Sequence, residues 1–350
     1  MLSCSGRLFM TYFTGLLGGI IFYFLHLPLP WILGSLMAMI AYKFTFSQKV
    51  IYSTFLKNIS YVILGIEIGN TFTDHTFQLI SPYVVPYLLF SVMLIAISLL
   101  FGFLISKIIR LDAATGMLGA VPGGLSAMIA LSDSIKSNTV YVTIFHTVRL
   151  LAVLFIVPFA AVHFFAHGET GQRASLAIQT DDPLFWTVFA YPLFFYLAYH
   201  LRNRVPANYI LIPMLSTAFL NIAHLPAYPL PDVFSIGAQV MLGVYLGQSV
   251  SVKELIKSGR YVLIFCFLSM VVIGISFIFG YLFHLMTSLD MATSMLSIAP
   301  GGLVEMALTA QTAGGDPSVV GSLQTIRVLM IVLILPLMLP HIPGIKGRSR

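Results

Sequence analysis

The chain is 350 residues long, 58% hydrophobic and 9% charged, with a mean hydropathy of +0.96. A soluble domain carries about 25% charged residues, so this composition excludes one and predicts an all-α polytopic membrane protein. The net charge of +6 does not point to nucleic acid, because no basic run exists and the cations sit at the ends of apolar segments, where membrane topology accounts for them.

A spanning helix needs about 20 apolar residues. The first half offers six apolar segments, at 8–26, 30–46, 50–70, 80–109, 112–134 and 139–163. The first follows Arg7 in the manner of a signal peptide, but no small-residue cleavage site follows, and it reads as a retained helix. The third is interrupted by Lys57, which can snorkel. It also holds Glu67, Asn70 and a Gly-x-x-x-Gly pair, Gly65 and Gly69, which favours close helix packing. The fifth opens on Asp112, read as a helix N-cap. It contains Pro122-Gly123-Gly124, a triplet that breaks helices. The sixth places His146 three residues before Arg149, on one helix face. His146 is a candidate proton relay, though such a histidine more often bonds a neighbouring helix. Arg149 lies about 15 Å into its helix, where an arginine costs about 2.5–3.5 kcal/mol. The stretch at 164–182 is too short to fold alone.

The second half repeats this pattern at 183–200, 206–222, 231–250, 260–286, 290–312 and 318–340. An offset of 178 carries Leu111–Met128 onto Leu289–Met306 with eleven of 18 positions identical. The same offset carries Gly65 and Gly69 onto Gly243 and Gly247, Asn70 onto Gln248, and Asp112 onto Asp290. Pro122 falls on Pro300, His146 on Gln324 and Arg149 on Arg327. One constant register across these sites means two copies of one unit, at 1–172 and 173–350.

Charge decides the topology. With Arg149 and Arg327 set aside, 16 of the 18 Lys and Arg residues remain. If all six segments of each unit cross, they split 10 to 6. If each Pro-Gly-Gly segment enters and leaves by the same face, they split 15 to 1, with only Arg173 outside. The positive-inside rule prefers the second. It predicts two inverted repeats of five transmembrane helices plus one re-entrant Pro-Gly-Gly hairpin each, with both termini cytoplasmic. Non-helical backbone at membrane depth persists only where protein buries it or where it lines a wet cavity.

Inverted repeats with broken helices at the midplane mark secondary transporters. The half-helix after each Gly-Gly offers unpaired amides and a positive dipole end, which favour an anion. The candidate substrate site is Pro122, Gly123, Gly124, Ser126 and Arg149 from the first unit, with Pro300, Gly301, Gly302 and Arg327 from the second. The arginines read equally as anion clamps or as groups that neutralise carbonyls at the broken helices. Glu67 and Glu305 join His146 as candidate coupling residues for H⁺ or Na⁺. Glu305 reads equally as an ion-pair partner of Arg149 or Arg327. Neither the two cysteines, Cys4 and Cys266, nor the scattered histidines suggest a metal cluster, and no nucleophile motif, phosphate loop or dinucleotide fingerprint appears. No enzyme activity, metal or cofactor is expected.

The duplicated Leu-Asp-x-Ala-Thr…Pro-Gly-Gly-Leu…Met block, followed by Thr-Val/Ile-Arg, resembles the AbrB family of duplicated bacterial membrane proteins. It does not resemble the unrelated small DNA-binding protein that shares the name. The resemblance implies a multi-pass protein of the bacterial plasma membrane. Family labels divide between regulators of gene expression and ammonia monooxygenases, and these residues offer neither a DNA-binding element nor a copper ligand set. At the level of architecture the chain is similar to cation-coupled citrate- and glutamate-type symporters, although their Gly-Gly-x-Gly tip is absent here. The expected function is a secondary transporter of a small organic or inorganic anion. The alternatives are a membrane sensor acting indirectly on gene expression and, behind it, a membrane oxygenase. The expected partners are the lipid bilayer, the anion with its coupling ion and, by analogy, a second copy of the chain.

Overall fold

Within a bilayer, backbone polar groups have no water to turn to, and a helix satisfies all of them inside one segment. The computed structural model describes residues 4–46, 52–73, 76–122, 137–165, 184–202 and 204–338, with 128, 132 and 135 besides. Among the described residues the ordered elements are helices, and the one extended pairing is an isolated bridge between Leu184 and Ala227.

The first half gives α1 (Cys4–Phe24), α2 (Pro30–Phe46), α3 (Thr54–Asn70), a short α4 (Thr76–Ile80), α5 (Val84–Ile108), α6 (Ala113–Ala120) and α7 (Thr139–Ala160). The second gives α8 (Tyr191–His200), α9 (Asn208–Ile222), α10 (Asp232–Ser249), α11 (Val252–Ser258) and α12 (Arg260–Met286). It ends with α13 (Met291–Ile298), α14 (Leu303–Ala313) and α15 (Pro317–Met338). Four helical stretches are long and apolar enough to cross a membrane, namely Gly6–Phe24, Gln78–Ile108, Thr139–Phe165 and Arg260–Met286. A fifth joins them if α10 and α11, bent by 42° at their junction, form one span. The chain is thus a helical, multi-pass membrane protein. Val85 and Leu89 on α5, and Leu263 and Phe267 on α12, stand exposed, as side chains facing lipid would.

The helices pack in two groups. In one, α2 lies on α1 and α10, and α3 lies on α9 and α10. Glycine makes these contacts close. A Cβ on Gly65 would come within 2.7 Å of the Ile210 carbonyl oxygen, and one on Gly69 within 2.6 Å of that of Met214. At the matched positions, a Cβ on Gly243 would come within 2.4 Å of the Ile32 carbonyl oxygen and one on Gly247 within 2.8 Å of that of Leu36. The close packing expected of both Gly-x-x-x-Gly pairs is present.

In the other group α5 packs on α6 and α12, while α12 packs on α7 and α13. Helix α14 lies between the groups. Its Leu303, Val304, Ala307 and Leu308 join the core of α2, α3, α9 and α10, whereas Met306, Ala310 and Ala313 join Val153 and Val157 of α7.

Matched helices run in opposite directions where they touch. Lys57 near the start of α3 stacks over Tyr245 near the end of α10, and Glu67 near the end of α3 meets Ser235 at the start of α10. Along α5 and α12, Tyr83 meets Ser288, Tyr87 meets Phe283 and Phe90 meets Phe279.

Candidate functional site

The site starts from two prolines. Steric contact with a proline ring drives the preceding residue into extended backbone. Val121 and Ala299 obey, with φ/ψ of −65°/131° and −53°/137°. Helices α6 and α13 therefore stop at matched positions, each leaving its last carbonyls without intrahelical partners.

Donors from the next long helix supply what is missing, and they do so twice. In the first unit Arg149 Nη1 donates to the Val121 carbonyl, and His146 Nε2 lies 3.0 Å from the Leu118 carbonyl. In the second, Arg327 Nη1 donates to Ala299 at 2.5 Å and Nη2 to Gly301 at 2.5 Å. Gln324 Nε2 donates to the carbonyls of Leu296 at 2.8 Å, Ser297 at 3.1 Å and Ala299 at 3.2 Å. The offset of 178 relates donors and acceptors alike. The carbonyl-binding reading of the arginines describes these contacts. His146 bonds a neighbouring helix, as histidines in its position more often do.

The opposite ends of α6 and α13 match as well. Asp112 accepts from Thr115 N at 3.2 Å and Asp290 from Thr293 N at 2.8 Å. Both are the N-caps that the sequence predicts. Thr115 Oγ1 in turn accepts from Asn138 N at 2.9 Å, and Thr293 Oγ1 from Asp316 N at 2.7 Å. Each broken helix is thereby tied at both ends to the next long helix, α6 to α7 and α13 to α15.

The two arginines differ in surroundings. Arg327 is buried, at 3% exposure, and its Nε is a buried donor without a partner among the described residues. Arg149 lines a narrow crevice with Gly119, Ala120, Phe145, Phe265, Leu268, Ser269 and Val272. The guanidinium groups are within electrostatic reach of one another.

The candidate coupling residues have separate partners. Glu67 Oε2 accepts from Ser235 Oγ at 2.6 Å, and Ser235 Oγ accepts from Gln239 Nε2 at 3.2 Å. This carboxylate sits at the first turn of α10, where a helix N-terminus favours negative charge. Glu305 is buried at 5% exposure, in the first turn of α14. Its carboxylate reaches back across Gly302, where Oε2 lies 2.0 Å from the point a Cβ on that glycine would occupy. Of the remaining candidates, Pro122 is buried beyond the end of α6, and Pro300, Gly301 and Gly302 form the link from α13 to α14. Gly123, Gly124 and Ser126 lie outside the described residues.

Two polar residues that sequence reasoning passed over belong to the same scheme. Lys43 Nζ donates to the carbonyls of Gly247 at 3.3 Å, Gln248 at 2.5 Å and Val250 at 2.7 Å, closing the end of α10. Asn221 Nδ2 reaches the carbonyls of Gly69 at 3.4 Å, Asn70 at 3.4 Å and Phe72 at 3.5 Å, beyond the end of α3. The available signal was the offset itself, which pairs Lys43 with Asn221. Among the described residues no group of three or more His, Cys, Asp or Glu is placed to hold a metal ion.

Comparison with known proteins brings three findings. A family model described as "Transition state regulatory protein AbrB" matches residues 3–74 and 31–342. The chain is 26% identical over 356 residues to "Uncharacterized protein YhjN" of Bacillus subtilis (strain 168), covering 94% of this chain and 92% of that protein. It is also 26% identical over 320 residues to "Putative regulator AbrB" of Escherichia coli (strain K12), covering 88% of each.

Proposed function

Since the chain belongs to the AbrB family, and the relatives' names go no further than regulation, we propose from the site itself that the protein is a secondary transporter of a small organic or inorganic anion, driven by H⁺ or Na⁺. One observation carries this reading. Two matched helices break at matched prolines, and each break is held by an arginine and a second polar side chain from the next long helix, α7 for α6 and α15 for α13. A protein with no use for interrupted backbone inside its helical core would have replaced the prolines and dispensed with the two arginines.

The antiparallel contacts of α3 with α10 and α5 with α12 support an inverted arrangement of the two units. With the positive-inside distribution, this favours ten crossings, two re-entrant segments and cytoplasmic termini in a bacterial plasma membrane. Alternating access would come from the group of α5, α6, α7, α12, α13 and α15 rocking against the group of α2, α3, α9 and α10, with α14 at their junction. That Arg149 lines a crevice as well as holding a carbonyl supports assigning it, of the two arginines, the contact with substrate. Arg327 keeps the second break open. No enzymatic step is assigned, and a homodimer is the assembly favoured by architectural analogy.

The test is flux. Purified protein in liposomes should take up labelled small carboxylates down an imposed H⁺ or Na⁺ gradient, and Arg149→Lys should cut the rate at least about tenfold while the protein stays folded. Absence of uptake across a carboxylate and inorganic-anion panel overturns the transport reading. The relative named as a putative regulator supports a second reading, a membrane sensor, which predicts saturable anion binding with no flux.

A further inference from the structure

A break in a helix creates two charged ends. At the carbonyl end, α13 meets Arg327 and Gln324. At the amide end, α14 opens at Gly302 in extended backbone, φ −79° and ψ 153°, with no side-chain cap from that residue. The free amides and dipole of an eleven-residue helix point out of this end and attract negative charge. What lies over it is the Glu305 carboxylate.

Glu305 is 95% buried, by its 5% exposure, and its carboxylate receives no hydrogen bond from another side chain among the described residues. It folds back toward the backbone of its own turn and across Gly302, in space that any Cβ at that position would occupy. Among the described residues, Tyr61 of α3 is an ionisable group within its electrostatic reach. A buried carboxylate without a cationic partner is costly to maintain, so the amide end of α14 is its compensation. The matched residue in the first unit is Ala127. Only one of the two copies thus brings a carboxylate of its own to this position. Helix α14 also lies where the two helix groups meet, so a change of occupant at its tip is felt by both.

We infer that the amide end of α14 is a carboxylate-binding seat whose resident occupant is Glu305, and that a substrate carboxylate enters by displacing it. The inference rests on the anion reading above and specifies its ligand as a small carboxylate. Seat and substrate are alternatives, so Glu305 holds the site closed to adventitious anions and yields to a ligand that brings further contacts.

Acetate is the probe, read by thermal unfolding of purified protein in detergent. Glu305→Gln keeps the side-chain shape and removes the competing charge. The midpoint of acetate stabilisation should fall at least about tenfold relative to wild type. If Glu305 only caps its helix, the two midpoints coincide and the inference falls. It also falls if neither protein responds. Should Glu305→Gln fail to fold, Glu305→Ala with formate decides the matter, since formate should raise its unfolding temperature at concentrations that leave wild type unchanged. Liposome flux separates the two proposals, because tighter acetate binding by Glu305→Gln without wild-type flux retains the seat and retires the transporter.

Discussion

Arg327 illustrates how far a buried charge can be committed to architecture. Its two terminal nitrogens meet the Ala299 and Gly301 carbonyls, two of the groups that Pro300 leaves without helical partners. Hydrogen bonds to a charged donor contribute about 1.5–3 kcal/mol each. Arg327→Ala should therefore destabilise the protein by about 3 kcal/mol or more, seen as a large drop in unfolding temperature in detergent. Arg149→Ala should destabilise the protein as well, since its Nη1 holds the Val121 carbonyl at the matched break. An unchanged unfolding temperature in either variant would show that these carbonyl contacts carry no energetic weight. From the sequence, the arginines stood equally for ligand clamps and carbonyl donors. Their carbonyl partners lie 26 to 28 residues away along the chain, a tertiary pairing that hydropathy and charge do not encode. Asp112 and Asp290 were legible because a cap is a local device, reaching only three residues along the chain.

At the scale of helices, small residues set the spacing. Gly243 faces the Ile32 carbonyl so closely that an added Cβ would stand 2.4 Å from it. Gly243→Val must push α10 off α2, and overpacking of this kind costs about 1–3 kcal/mol. The expected result is a lowered unfolding temperature, with Gly274→Ala as the control, because a Cβ at Gly274 meets nothing within 4 Å. An unchanged unfolding temperature for Gly243→Val would mean that the contact with α2 does not govern this position. The helix boundaries themselves were largely legible. Apolar run lengths, prolines and glycines marked them, and α2, α9, α10 and α12 fall within a few residues of their predicted segments. The partners of Glu67 and Lys43 were not legible, since Ser235 lies 168 residues away and the α10 carbonyls 204 or more.

For the molecule as a whole, the proposed inversion makes matched loops face opposite sides of the membrane. Arg110 and Ser288 are such a pair, both exposed at the ends of the antiparallel helices α5 and α12. In a background with Cys4 and Cys266 replaced by serine, Arg110→Cys and Ser288→Cys should react with an impermeant thiol reagent from opposite faces of intact cells. Reaction of both from one face would refute the inverted arrangement.

The closures made by Lys43 and Asn221 run crosswise, because each copy's second helix finishes the third helix of the other. Neither copy, taken alone, is a completed object. A chain cut in the stretch between the halves would leave each fragment with an open helix end that only its counterpart can fill, so whatever joins the fragments must bring both at once.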